Sequence, residues 1–146
     1  MAKQNWDLTY FFKSQEEFDA ALENFKKYKN ELASYKGKLS NEEDLKAFLR
    51  LEKKSNLDFV RLYFYAEMAS DLDKTNVKNA SNLAKVQLAM NDLAAATSFE
   101  SPELLSLGRE KLEKFVKENK EFEEYLFSFR KLFDQSEYVL SKEKEE

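Results

Sequence analysis

The side chains that most often carry chemistry are missing from this chain. It has 146 residues, and neither histidine nor cysteine is among them. That excludes Ser–His–Asp and Cys–His nucleophilic arrangements, histidine metal ligands, thiolate chemistry and the commonest general base. The Glu-x-x-His pairs of di-iron bundles and the axial histidine of haem proteins are excluded too. What remains is carboxylate. The adjacent pairs Glu16-Glu17 and Glu42-Glu43 fall in the first turns of expected helices, where the helix dipole favours negative charge. They read as caps and solvation rather than as acid/base pairs. Glu67 projects between Tyr63, Val60 and Phe64, and a carboxylate there needs a partner or a route to water. It is expected to bend out to solvent near a helix end, as long charged side chains do. Gln87 and Asn91 are expected on the inward arc of a helix, as a satisfied structural hydrogen-bond network. Neither a phosphate-binding Gly-rich loop nor an Asp-rich calcium loop is present.

The elements that would position these residues are helical. Two glycines and one proline are too little punctuation for a sheet-rich fold. We expect an all-α fold, an antiparallel bundle of about four to six helices with a short extended N-terminal arm over Trp6–Phe12. Ser14 and Glu17 form a capping box, followed at helical spacing by Phe18, Leu22, Phe25, Tyr28, Leu32 and Tyr35, with Gly37 as the stop. Ser40 and Glu43 form a second box. The helix they open runs into Asn56–Asn76, the most apolar stretch, where Leu57, Phe59, Val60, Leu62, Tyr63, Phe64, Ala66 and Ala69 cover most of the circumference. A helix apolar on nearly all sides is expected to be covered on several of them. Thr75 or Asn76 caps the next helix, which should turn Val77, Ala80, Leu83, Ala84, Leu88, Leu93 and Ala94 inward and Lys78, Asn82, Lys85 and Asp92 outward. Ser101-Pro102-Glu103 reads as a further start signal. A charged helix over Arg109–Glu118 follows, and then one from about Lys120 to Phe133. Phe127 falls on the charged side of that last helix. Ser141 reads as the cap of another.

Composition narrows the partners. Net charge is −4 with charged residues, 36% of the chain, well mixed, and no basic stripe favours nucleic acid. The N-terminus lacks the apolar core of a signal peptide, and no apolar run reaches the ~20 residues that span a bilayer. A cytoplasmic protein with no membrane or nucleic-acid partner is the expectation, and the absence of disulfides fits it.

Several stretches in register resemble the N-terminal region of oligoendopeptidase F, a zinc metallopeptidase of the thimet oligopeptidase type. They are Trp6-Asp7-Leu8-Thr9 with Phe11-Phe12 and Ser14, then Tyr35-Lys36-Gly37-Lys38-Leu39-Ser40. Leu62-Tyr63-Phe64-Tyr65-Ala66 with Ser70-Asp71 and Thr75-Asn76 is the most recognisable. Pro102-Glu103-Leu104-Leu105 and Leu140-Ser141 follow in order. The chain departs from the family at Ser136-Glu137-Tyr138-Val139, where a histidine often stands. The resemblance implies an almost entirely helical fold enclosing a deep cleft. A catalytic domain farther along the same polypeptide would carry His-Glu-x-x-His and a later Glu that hold zinc, and would cleave short peptides. No catalytic residue and no zinc ligand carries over to any position here. Residues 1–140 would form a helical lobe walling one side of the cleft, and residues 141–146 the truncated start of the next helix. Tyr65, Glu67 and Phe127 are the expected contacts with the catalytic domain. The alternative is a free-standing helical interaction module, dimeric through Phe127 and the inward polar positions.

Overall fold

Ser14 opens the first helix as expected. Its backbone is extended and its Oγ accepts the Glu17 N–H at 3.1 Å, meeting one of the donors a helix start leaves free. In the computed structural model, which describes residues 8–145, this helix is α1, Gln15–Lys26. A tightened bond from Lys27 N–H to Asn24 O separates it from α2, Tyr28–Ala33. Then come α3 (Glu42–Leu72), α4 (Val77–Ala96), α5 (Glu100–Leu107), α6 (Arg109–Glu118), a 3-10 turn over Lys120–Tyr125 and α7 (Leu126–Glu145). No strand occurs among the described residues. The all-α helical bundle is therefore found, with seven α-helices among the described residues because the first expected helix divides at Lys27.

Several starts and stops differ from the sequence expectation. Trp6 and Asp7 of the arm lie outside the described residues, and Leu8–Tyr10 tightens into a 3-10 turn rather than running extended. Asn41, not Ser40, caps α3, its Oδ1 accepting the Asp44 N–H at 3.1 Å. Ser101 lies inside α5 rather than capping it, and Pro102 occupies the first turn, where its missing N–H leaves no bond unmade. Gly108, at φ 90, ends α5. The helix start expected at Ser141 is instead a continuation, since α7 runs unbroken from Leu126 to Glu145.

The chain divides into two compact units. The first contains α1, α2, the part of α3 from Arg50 onward and α4. Its core is built from Phe18, Leu22 and Phe25 of α1, Leu32 of α2, Leu62 and Ala66 of α3, and Val86 and Leu93 of α4, all buried. The ring of Phe12 is buried as well, edge-on to Phe18 and Tyr65 at 5.6 and 5.2 Å. Arg61 fastens the segment that carries it by donating to the Phe11 carbonyl, with its guanidinium 4.3 Å over the Phe12 ring. The second unit contains Tyr35–Leu49 and Ser98–Glu146. Leu39, Phe48, Leu49, Leu112, Phe115 and Phe122 form its core. Full burial of each such side chain is worth roughly 1.5–3 kcal/mol.

The phase of α4 departs most from its apolar pattern. Asn82, expected outside, is 2% exposed, whereas Leu88, expected inside, is 61% exposed and Val77 is 81% exposed. The reason is polar. Asn82 Nδ2 donates to Gln15 Oε1 at 2.9 Å while Gln15 Nε2 donates to Asn82 Oδ1 at 3.0 Å. This reciprocal pair satisfies the buried amide. With Val86, Ala89 and Leu93 it sets the inward line at i, i+4, i+7 and i+11.

Candidate functional site

The three expected contact residues occupy different surroundings. Tyr65 is half-buried on α3, its ring stacked on Phe18 at 5.2 Å and edge-on to Phe12. Most of that ring is committed to the first unit's own core. Glu67, also on α3, is half-buried and not fully turned to solvent as expected, because Tyr63 one helical turn earlier donates its hydroxyl to Glu67 Oε1 at 3.3 Å. The Glu67 charge, with a contribution from burial, holds the Tyr63 phenol above its usual titration range. Phe127 belongs to the second unit and is 76% exposed on the outer side of α7. It borders a shallow depression with Arg130, Lys131, Asp134 and Tyr138.

Gln87 and Asn91 do not form the expected inward network. Both are exposed, because Asn82 has taken the buried polar position on α4. Nor is α3 covered on several sides. Leu57, Val60 and Phe64 are exposed in a line while Leu62 and Ala66 are fully buried. The sequence singled out each of these residues as apolar, and only packing distinguishes the two groups.

Polar pairs elsewhere support the fold. The buried Tyr28 hydroxyl donates to Asp58 Oδ2, and burial first, then that hydrogen bond, pushes the Tyr28 phenol well above its ordinary range. In the second unit Glu103 accepts the N–H of Gly37 at 2.8 Å and of Leu39 at 3.4 Å, binding the turn before α3 to α5. A half-open depression of about 170 Å³ lies between the start of α3 and α6. Leu39, Leu45, Leu112 and Phe115 make its apolar walls, and Glu42, Lys111, Lys114 and Glu118 its polar rim. Lys114 lies 3.9 Å from Glu118, and Glu42 accepts from Asn119 at 3.1 Å, so three of the four rim charges already have partners. Among the described residues no group of three or more His, Cys, Asp or Glu could hold a metal ion, and no helix is long and apolar enough to cross a membrane.

These features define an all-α helical domain with aromatic-rich cores and exposed apolar faces on α3 and α7. Comparison with known proteins shows what it is similar to. A family profile described as Oligopeptidase F matches residues 103–146. The chain is 33% identical over 146 residues to Oligopeptidase PepF of Bacillus subtilis (strain 168), covering 99% of this chain and 22% of that protein. It is 28% identical to Group B oligopeptidase PepB of Streptococcus agalactiae serotype III, over 99% of this chain and 24% of the relative. It is 26% identical to the plasmid-encoded Oligoendopeptidase F of Lactococcus lactis subsp. cremoris, over 98% of this chain and 24% of the relative. No solved structure matches. The chain is thus similar over nearly its whole length to one part of these oligopeptidases, and its C-terminal third matches the oligopeptidase F profile. It spans between 22% and 24% of the length of these relatives.

Proposed function

We propose that this chain is the N-terminal helical lobe of a cytoplasmic, zinc-dependent oligoendopeptidase that hydrolyses short peptides. In this reading residues 1–140 act as one lobe, wall one side of the substrate cleft and supply no catalytic group. The observation that carries it is the pairing of near-complete coverage of this chain with a 22% share of the Bacillus subtilis relative, whose name records oligopeptidase activity. The side-chain inventory agrees. Zinc in a peptidase is held by His with Asp, Glu or Cys and keeps an open position for water. A chain without His or Cys, and without an acidic cluster of the right kind among its described residues, does not fit that ion. In this reading the zinc is held by the catalytic domain of the same polypeptide.

Phe127 is proposed as a contact with that domain, because a side chain 76% exposed gains from being covered. Tyr65 and Glu67 are proposed as lesser contacts through the parts of their side chains that α3 leaves accessible. The deciding experiment is the mass of the native gene product, detected in lysate with an antibody raised against this domain. A band several times larger than 17.2 kDa, whose purified protein cleaves short peptides and loses that activity to a chelator, is the expected result. A band near 17.2 kDa would overturn the reading and leave a free-standing helical module.

A further inference from the structure

Leu57, Val60 and Phe64 stand at i, i+3 and i+7 of α3 and are 64%, 45% and 47% exposed. That spacing makes a line along which one helix accepts another. Single exposed apolar residues are ordinary, but neighbours on one helical line form a patch. The other side of α3 is full, with Leu62 and Ala66 at 1% and 0% exposure. The bare line has charged ends. Lys54 precedes it, and Glu67 and Asp71 follow it. A complementary surface is thus an apolar helix face with acidic side chains toward Lys54 and basic ones toward Asp71.

We infer that this strip is the seat for a helix from the remainder of the longer polypeptide. The inference rests on the proposed membership of this chain in a longer peptidase. Two observations select that occupant over a second copy. More than three quarters of each relative lies outside the matched region, since the chain covers 22% to 24% of them. The strip is also small. Its exposed apolar surface is on the order of a few hundred Å², below the roughly 800 Å² per partner that a stable free complex buries. A covalently linked helix meets the strip at an effective concentration in the ~mM range, so a small surface suffices to hold it.

The chain has no cysteine, so single thiols report cleanly on each position. Val60→Cys and Phe64→Cys, with Lys29→Cys on an exposed position as control, are placed in the full-length polypeptide and in the 146-residue chain. Maleimide labelling rates are read at each site by peptide mass. Both strip positions should label at least about tenfold more slowly in the full-length protein, because labelling there requires local opening. Lys29→Cys should label alike in both. Equal rates at all three positions in a confirmed longer polypeptide would overturn the inference and leave the lobe reading intact. Protection in the 146-residue chain that disappears on dilution would assign the strip to a second copy and also overturn it. A gene product no longer than this chain would end both the inference and the reading on which it rests.

Discussion

Asn82 and Gln15 exchange two side-chain hydrogen bonds, at 2.9 and 3.0 Å, and so turn a polar residue into the first member of the buried line of α4. Asn82→Ala removes both bonds at a position 2% exposed. It is expected to cost about 1–3 kcal/mol, the usual range for a buried polar partner left alone. Gln15 also donates to Asp19 at 2.8 Å, which places the loss toward the lower end. Urea unfolding measures it. A cycle with Gln15→Ala should give a coupling of at least about 0.5 kcal/mol, and additive losses would refute the pairing.

The Tyr28–Asp58 pair predicts an alkaline limb of stability. Burial and the Asp58 hydrogen bond raise the Tyr28 phenol above its ordinary value of 10.0 in the folded state. A raised pKa means the stabilisation is complete below the unfolded value and is lost as pH climbs above it. Wild type should therefore lose more stability than Tyr28→Phe between about pH 10 and higher pH, relative to their difference at pH 7. Denaturant melts of the two proteins at matched pH test this, and parallel curves would remove Tyr28 as the cause.

Gly37 carries φ 80 and donates its N–H to Glu103. Gly37→Ala meets no atom, so its penalty is backbone strain alone, about 1 kcal/mol. Glu103→Ala leaves the Gly37 and Leu39 N–H groups without their carboxylate and should cost about 1–2 kcal/mol, less than a fully buried bond because the Gly37 site is exposed. Thermal unfolding with both variants separates strain from the lost carboxylate.

Leu57 and Leu62 lie on the same helix with opposite fates, at 64% and 1% exposure. Leu62→Ala should cost about 2–5 kcal/mol through cavity formation. Leu57→Ala should stay within about 0.5 kcal/mol in the 146-residue chain. A large effect of Leu57→Ala in this chain would mean that the strip is already covered.

Zinc should leave the thermal midpoint of the 146-residue chain unchanged, and so should a chelator, because ligand binding to the folded state alone would raise it. A midpoint that rises with zinc concentration would place a metal site in residues assigned none.

The helical class, most apolar faces and the missing chemistry followed from composition and period. Phe18, Leu22, Phe25, Tyr28 and Leu32 lie buried where their spacing places them, since a 3.6-residue repeat fixes which side chains share a face. Spacing failed where more than one face was plausible. In α4, alanines and leucines spread around the circumference pointed to a phase with Val77 and Leu88 inward, and a hydrogen-bonded amide pair between residues far apart in sequence set a different one. In α3, eight apolar positions looked equally fit for burial. The local pattern records which residues resist water, but not which neighbours are there to cover them. Burying Leu62 and leaving Leu57, Val60 and Phe64 bare is therefore a decision of tertiary packing, made where other helices arrive and where none among the described residues does.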